Sequence, residues 1–321
     1  MSRTVQILTI LLLVQVVIAI GLFSRGEDKG AFTGGEKLLG LELSGLDEIT
    51  LSEKEGKSVV INRQGENWVL SSFHDFPVSL DKLKQVTDSL FTVTKGWPVA
   101  TTKTATKRFR VSEQDFERKV LFSKDGQIVK TLYLGSSPGF KQVHARAEGD
   151  DDIYMIDFSL FQASMKPADW QNKEVLKHNK DEFVKLATAE FSLERKGDSW
   201  IVSGLQGDEE TTQKDVEDYV SRTANLTFVD VLGKDNKPEY GQDNSEFSIT
   251  ALLKSGETIE YRFSAMGEGD NHALKVSNLD YYFKLSKYSV DDLKVKRDRF
   301  VTAKITKEKT KEKTKEKSDT E

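Results

Sequence analysis

The four histidines offer the most recognisable chemistry in this chain, because a histidine can act as a general base or bind a metal near neutral pH. They are His74, His144, His178 and His272. No two of them form a His-x-x-x-His pair, and a catalytic zinc site needs three converging protein ligands. The spacing of the histidines therefore indicates no metal site.

Two of the histidines, His144 and His272, stand at the same place in two similar stretches, HARAEGDDDIYMID (144–157) and HALKVSNLDYYFKL (272–285). Strand alternation predicts that His144 points to solvent, opposite its apolar neighbours, whereas His272 shares a face with Leu274. Because the two faces differ in polarity, we interpret both histidines as positions set by strand geometry. We assign no catalytic or metal-binding role to either.

The densest acidic cluster is Asp150, Asp151 and Asp152 in EGDDDIY. Clustered carboxylates are the ligands that hard cations such as calcium prefer. The alternating Asp/Asn spacing with a following Gly that defines a calcium loop is missing, however, and acidic turns between strands are ordinary. We therefore predict a solvated hairpin tip.

Other catalytic chemistry finds little support in the residue types. The chain has no cysteine, which excludes thiolate nucleophiles, disulfides, Fe–S clusters and thiolate zinc sites. No Gly-rich Walker sequence ending in Lys-Ser/Thr occurs, so any ATP would be bound by another polypeptide. We expect no catalytic residue, cofactor or metal, and predict that the protein is not an enzyme. A hydrolase that uses Asp150–Asp152 or His144 with a metal is a remaining alternative.

The charge pattern argues against nucleic acid as a partner. The formal net charge is -5 and the isoelectric point is near 5.6. Basic and acidic residues are interspersed, and no basic stripe of the kind that neutralises phosphates is present. We expect protein and membrane partners instead.

The elements that would position any site repeat along the chain. NRQGENWVLSS (62–72) and ERKGDSWIVSG (194–204) share a Gly-x-x-Trp spacing, which predicts that Trp68 and Trp200 occupy equivalent core positions. Each stretch belongs to a run of short apolar alternations, typical of a β-meander. Each is followed by an amphipathic helical pattern.

The helical patterns carry start signals. Ser79 is the N-cap candidate of the first helix, and Thr212 with Asp215 forms a capping-box pattern at the second. Each half is also predicted to close with a helical stretch, FSLFQASM (158–165) in the first and KYSVDDLKV (287–295) in the second.

The repetition extends to the length of a whole domain. KVLFSKDGQIVKTLYL (119–134) and SITALLKSGETIEYRF (248–263) are again similar strand–turn–strand units. A period of roughly 130 residues is too long for solenoid repeats of about 20–50 residues, so it indicates duplication of a domain. The predicted fold class is α+β: an N-terminal transmembrane helix followed by two duplicated β-rich domains, each a mainly antiparallel sheet covered by helices.

The N-terminal segment Val5–Phe23 contains nineteen residues without a charge. This length suffices to cross a hydrocarbon core of about 30 Å, and it exceeds the usual apolar region of a cleaved signal peptide. We interpret the segment as an uncleaved anchor; a cleaved signal peptide is the alternative. A short N-terminus before a single anchor favours export of the bulk of the chain.

The predicted organisation is a cytoplasmic N-terminus (1–4), a transmembrane anchor (5–23), a linker (24–40), a first α+β repeat domain (41–178), a second α+β repeat domain (179–303) and a disordered charged tail (304–321). The tail is predicted to be disordered because it is a low-complexity run of Lys, Glu and Thr with no apolar residue after Ile305.

The anchor, the repeated Gly-x-x-Trp meanders, the helix after each meander and the closing NKEV and DRFV stretches resemble the bacterial family called domain of unknown function 4340. The similarity covers most of residues 1–303. The Tyr-Gly pair of the family is kept as Tyr240 and Gly241 in EYGQ, whereas the first half has Phe109 and Arg110 in RFRV. This difference leaves the geometry of the first turn open.

The resemblance implies a function without implying catalytic residues. Members of the family are often encoded beside permease and ATPase subunits of a gliding-motility-type ABC transporter and an auxiliary membrane protein. We therefore expect a non-catalytic accessory or interaction protein of such a complex, in the bacterial inner membrane with a single span and with its bulk in the periplasm or outside. The alternative is an exported module that holds a peptide, glycan or lipid between the two repeats.

Overall fold

The computed structural model describes residues 11–12, 14–16, 35–267 and 270–304. Within this part, residues 11, 12 and 14–16 are helical, and no helix is long and apolar enough to cross a membrane. Most of the predicted anchor (5–23), much of the linker (24–40) and the tail after residue 304 lie outside the described residues.

From residue 35 onward, the described part contains twenty short strands, four α-helices and six short 3-10 helices. The strands are β1 (Glu48–Ser52), β2 (Ser58–Gln64), β3 (Asn67–Leu70), β4 (Phe76–Pro77), β5 (Val111–Ser112), β6 (Asp115–Phe116), β7 (Arg118–Lys124), β8 (Gln127–Leu134), β9 (Val143–Ala147), β10 (Tyr154–Ile156), β11 (Phe183–Ala187), β12 (Ser192–Lys196), β13 (Ser199–Val202), β14 (Glu209–Thr211), β15 (Asp230–Gly233), β16 (Phe247–Leu253), β17 (Thr258–Ala265), β18 (Asn271–Val276), β19 (Tyr282–Ser286) and β20 (Val301–Ala303). The helices are α1 (Leu80–Phe91), α2 (Lys103–Arg108), α3 (Gln213–Ala224) and α4 (Lys287–Asp291). The fold is therefore β-rich, with few helices.

The chain divides into two compact units after Gln171, seven residues before the expected boundary at His178. The backbone explains the difference, because His178 N donates to Ala224 O at 2.9 Å and Lys177 forms a bridge with Asn225. Residues 177 and 178 are thus held by the second unit.

The first unit contains an eight-stranded sheet in the order β10-β9-β8-β7-β1-β2-β3-β4, in which every neighbouring pair is antiparallel. Its core joins alternate side chains of the strands, such as Ile49 and Leu51, to the buried face of α1. Each large aliphatic side chain buried there contributes about 1.5–3 kcal/mol.

Helix α1 begins where the sequence predicts. The Ser79 hydroxyl caps it by accepting the N–H of Lys82. Leu83, Val86 and Leu90 are buried as their spacing requires, whereas the remaining predicted face residue, Leu80, is exposed in the first turn.

The second unit contains another antiparallel eight-stranded sheet, in the order β13-β12-β11-β16-β17-β18-β19-β15. Helix α3 buries Tyr219 between the rings of Phe191 and Phe300, with centroid separations of 5.3 Å to each. The β14–β20 pair adds a small separate sheet.

Seven strands follow the same order in the two sheets. In the first unit the order is β3-β2-β1-β7-β8-β9-β10, and in the second it is β13-β12-β11-β16-β17-β18-β19. Trp68 pairs across its hairpin with Arg63, and Trp200 pairs with Arg195. Both tryptophans are buried, as predicted from the Gly-x-x-Trp spacing.

Two local predictions about helices are wrong. Thr212 is the N-cap of α3, but its side chain makes no capping hydrogen bond; the Gln213 side chain instead exchanges hydrogen bonds with the backbone of Trp200. The stretch 158–165 is a loop, because its tertiary contacts bury Phe158 and Ala163 and pack Leu160 partly against the core, while Phe161 between them is exposed. Its counterpart in the second unit does contain a helix, α4.

Candidate interaction surface

His144 is buried, so the prediction that it points to solvent is wrong. Its Nδ1 lies 2.8 Å from Ser136 O and 3.1 Å from Ser136 Oγ, and its ring packs on Phe109 at a centroid distance of 4.3 Å. The segment that carries α2 and the β5–β6 hairpin covers this face, with Val111 and Tyr133 in a small core of their own. The alternation of β9 could not show that a segment some 30 residues earlier in the chain packs over its second face.

His272 lies at the start of β18, an interior strand between β17 and β19, and both it and Leu274, with which it was predicted to share a face, are buried. Its Nε2 lies 3.2 Å from Glu246 Oε2, and Glu246 also pairs with Lys294. The hydrogen bond from Lys294 is the main cause that holds the pKa of Glu246 below its usual value. This arrangement is a local ion-pair cluster.

The structure does not bring the predicted candidates together. Within residues 35–267 and 270–304, no three His, Asp or Glu side chains are placed to hold a metal ion. His74 packs edge-on against Phe73, and His178 against Phe183.

The acidic stretch 150–152 forms the turn before β10. Asp150 Oδ1 accepts the N–H of Asp152 at 3.2 Å, and Asp152 Oδ2 accepts the Tyr154 hydroxyl at 3.2 Å. Lys95 Nζ lies 3.8 Å from Asp150, and its pKa is raised chiefly by the hydrogen bond to Glu36. The carboxylates of Asp150 and Asp152 thus make hydrogen bonds within the turn, and that of Asp150 also faces one lysine.

The motif Gly-x-Ser-x-Gly, typical of serine hydrolases, occurs once, at 135–139 with Ser137 as its serine, and it was missed in the sequence. The nucleophile elbow of hydrolases is a turn from a strand into a helix, followed by a histidine that an acid orients. Here the spelling lies in the loop from β8 to β9, between two strands. His144 Nδ1 is bonded to Ser136 instead of a carboxylate, so the described residues assemble no serine triad around Ser137.

Two large apolar side chains stand almost fully in solvent at one end of the first sheet. Phe140 is 88% exposed and Phe161 is 93% exposed, the highest exposures among the large apolar side chains of the described residues. Their loops follow β8 and β10, and because Ile156 pairs with Val143, both loops lie at the same end of the sheet. We call Phe140, Phe161 and the neighbouring Lys57, Lys141 and Lys166 the Phe140–Phe161 surface.

Phe140 is presented by a tight turn. Gln142 N donates to Gly139 O at 3.3 Å, and Lys141 has a positive φ of 55°. This conformation places Phe140 at the tip of the turn, with Lys141 Nζ 5.3 Å from the centroid of its ring. A lysine in the left-handed region has a conformational cost, so the turn is a specific feature of the loop.

Phe161 is presented by a loop that is held at both ends. Phe158 and Ala163 are buried, and Trp170, also buried, donates its Nε1–H to Ser164 O at 2.8 Å. Inside the loop, Ser159 N donates to Gln162 Oε1 at 3.1 Å. The exposure of Phe161 therefore comes from an ordered loop.

Two side-chain links join the loops to each other and to the sheet. Gln142 Nε2 donates to Asp157 Oδ1 at 3.4 Å. Arg118 Nε donates to Ala163 O at 3.1 Å, and its Nη1 pairs with Glu53 at 3.0 Å. The two phenylalanines consequently have a defined spacing.

A cavity of about 840 Å3 opens between these loops. Its apolar lining includes Leu160 and Met165 beside the two phenylalanines. This volume falls within the range of about 300–1,000 Å3 that is typical of ligand sites. The surface therefore combines two projecting rings with a concave floor.

Within the described residues, most carboxylates around this cavity have a cationic partner, whereas the lysine amino groups do not. Glu53 pairs with Arg118, Glu117 pairs with Arg110, and Asp169 accepts the Ser164 hydroxyl at 2.5 Å. The amino groups of the lysines that line it, Lys57, Lys141 and Lys166, have no ion pair among the described residues. The free charge of the surface is therefore positive, in a chain whose net charge is negative.

The sequence pattern of the family described as "Domain of unknown function (DUF4340)" matches residues 68–245, more than half of the chain. The chain belongs to this family. The matched range contains all of the Phe140–Phe161 surface except Lys57, as well as the Tyr240–Gly241 pair. No curated protein and no solved structure matches the chain.

The surface was not predicted for this family member, although the sequence contains a signal for it. Phe140 lies in PGFKQ, where an aromatic residue occupies a turn that contains Gly and Pro. The pattern of residues 158–165 predicts a helix, in which Phe158, Phe161 and Met165 would share an apolar face. The loop separates them instead, burying Phe158 and exposing Phe161.

Proposed function

We propose that the protein is a non-catalytic, membrane-anchored accessory or interaction protein of an ABC-transporter-like or cell-envelope complex. The observation that carries this proposal is the Phe140–Phe161 surface. Large apolar side chains that stand together in solvent mark sites of association in soluble domains. The loops that hold them are ordered, so the exposure is a built feature of the fold.

The proposed location is the bacterial inner membrane, with one span and the bulk of the chain in the periplasm or outside. Support comes from the nineteen uncharged residues of Val5–Phe23, which are long enough to cross a bilayer. The proposed partners are permease and ATPase subunits and an auxiliary membrane protein, by analogy with the gene neighbourhood of the family.

We infer that the two units arose by duplication of one domain. The shared order of seven strands supports this inference, and so does the equivalent pairing of Trp68 with Arg63 and of Trp200 with Arg195. Duplication followed by divergence would explain why the first unit alone has the loop that exposes Phe161.

Co-purification from native membranes tests the proposed function. The tagged full-length protein is extracted in mild detergent and its companions are identified by mass spectrometry. The control replaces Val5–Phe23 by a cleavable signal, which should leave both units folded. We expect transporter subunits with the anchored protein and a loss of cellular function in the control. Full function of the released form would contradict the anchored-accessory proposal.

A further inference from the structure

We propose that the Phe140–Phe161 surface binds an apolar segment of a partner protein that carries acidic residues beside its apolar side chains. This inference rests on the proposed function as an interaction protein and specifies the chemistry of the partner. The surface would act as the recognition site of the first unit.

The shape of the surface favours a protein segment. Phe140 and Phe161 flank a concave floor that contains Leu160 and Met165, with a volume of about 840 Å3. A chain segment can enter such a cavity and contact both rings and the floor. The flat surface of a bilayer would reach only the projecting rings.

The free charge of the surface specifies acidic side chains in the partner. Lys57, Lys141 and Lys166 line the cavity without ion pairs in the part of the chain described, whereas Glu53 and Glu117 are neutralised by arginines. An acidic partner would gain favourable contacts with the three lysines. Among the carboxylates that line the cavity, only Asp169, which accepts the Ser164 hydroxyl, has no cation partner among the described residues. Charge complementarity of this kind controls specificity and the association rate.

The two loops of the surface are preorganised for binding. The Gln142–Asp157 and Arg118–Ala163 hydrogen bonds hold the two loops, and the buried Trp170 holds the base of the second. Because the loops are already ordered, little conformational entropy is lost on association.

The position of the surface also favours a protein over the bilayer. The chain enters the first unit near Glu36, whose backbone O accepts the N–H of Lys95, and residues 36–40 share a second cavity with Ala147 and Asp150. Strand β9 runs from Val143 at the Phe140–Phe161 end to Ala147 at this entry end. A unit that follows a membrane anchor would thus carry the surface at the end remote from the point of entry.

Photo-crosslinking of the full-length protein in its native membranes tests the inference. A photoreactive phenylalanine analogue is incorporated at Phe140 or Phe161, and at Ile128 as the control. Ile128 is an exposed apolar residue near the start of β8, beside its turn from β7 and at the opposite end of the sheet. The adduct of each variant is identified by mass spectrometry.

The same experiment is repeated with the triple variant Lys57→Glu, Lys141→Glu and Lys166→Glu, and with the matched variant in which all three become arginine. We expect an adduct with one protein from positions 140 and 161, joined at an apolar segment with nearby Asp or Glu. The glutamate variant should lower its yield about tenfold and the arginine variant should keep it, because three charge pairs become repulsive.

Three results would overturn the inference: adducts with lipid alone, no adduct from either position, or a protein adduct whose yield is the same in the glutamate variant as with the three lysines. Alkaline extraction of the same membranes separates this inference from the proposed function. Release of the chain from the membrane would contradict the anchored location, while a lysine-dependent adduct would still support the surface.

Discussion

Arg110 and Gly241 adopt the same left-handed backbone conformation, with φ of 56° and 64°, in turns of the two units. The Tyr240–Gly241 pair of the second unit is replaced in the first by Phe109–Arg110, yet the turn is kept. In the first unit the residue that has no room for a side chain is Gly135, not Arg110, because a Cβ added to Gly135 would lie 2.0 Å from Phe109 O. In the first unit the tight glycine follows β8, whereas in the second it is Gly241 of the turn itself, where an added Cβ would lie 2.9 Å from Ala265 O.

We predict that Gly241→Ala destabilises the second unit more than Gly197→Ala. The two glycines have nearly equal φ, 64° and 63°, so both substitutions carry the cost of the left-handed region, about 1–2 kcal/mol. Only at Gly241 would the new Cβ also lie within 2.9 Å of Ala265 O, while the space at Gly197 is open. Urea unfolding followed by circular dichroism measures both; equal losses would contradict the role of the close approach.

We predict that Phe140→Ser and Phe161→Ser leave the fold unchanged. Both rings are nearly fully exposed, so the free energy of unfolding should change by less than about 0.5 kcal/mol. Thermal unfolding of each variant beside the wild-type protein checks this. A large loss of stability would show that the rings pack within the fold and would remove the argument for an exposed binding surface.

We predict that Trp170 determines the order of the loop that carries Phe161. Trp170→Ala removes a buried ring and should cost about 3–5 kcal/mol in the unfolding of the first unit. Trp170→Phe keeps most of the apolar volume but leaves Ser164 O without its donor, at a smaller cost of about 1–3 kcal/mol. Limited chymotrypsin digestion should cut faster after Phe161 in both variants; unchanged cleavage would mean that the loop is held by other contacts.

We predict that the Glu209–Arg297 ion pair makes a contribution to stability that is lost in acid. The pair links Glu209 in β14 to Arg297, which lies four residues before β20. The hydrogen bond from Arg297, with another from the Gln206 N–H, lowers the pKa of Glu209 from 4.5 to about 2. Since the folded pKa lies below the unfolded one, this contribution is complete above about pH 4.5 and is lost as the pH falls toward about 2.

The test of the Glu209–Arg297 pair compares the wild-type protein with Arg297→Gln and Glu209→Gln, by urea unfolding at several pH values across this window. Both variants should lose less stability than the wild type on acidification: Glu209→Gln has no carboxylate at this position, and in Arg297→Gln the pKa of Glu209 is lowered only by the hydrogen bond from the Gln206 N–H. Parallel curves for all three proteins would contradict the assignment.

Local sequence patterns determined the parts of the fold that depend on neighbours along the chain. The Gly-x-x-Trp hairpins and helix α1 with its Ser79 cap follow from turn chemistry and helical spacing, which act within a few residues. The absence of cysteine likewise excluded disulfides and thiolate chemistry from the composition alone. The resemblance to the family, stated from the anchor, the Gly-x-x-Trp meanders, the helices that follow them and the closing stretches, is confirmed by the match over residues 68–245.

Only the tertiary structure decided the candidate site. The alternation of β9 predicts one buried face, but the α2 and β5–β6 segment covers the other and buries His144. The stretch 158–165 has a helical apolar pattern, yet the contacts of Phe158, Ala163 and Trp170 hold it as a loop and expose Phe161. Both outcomes depend on packing between segments distant in sequence, which local periodicity does not contain.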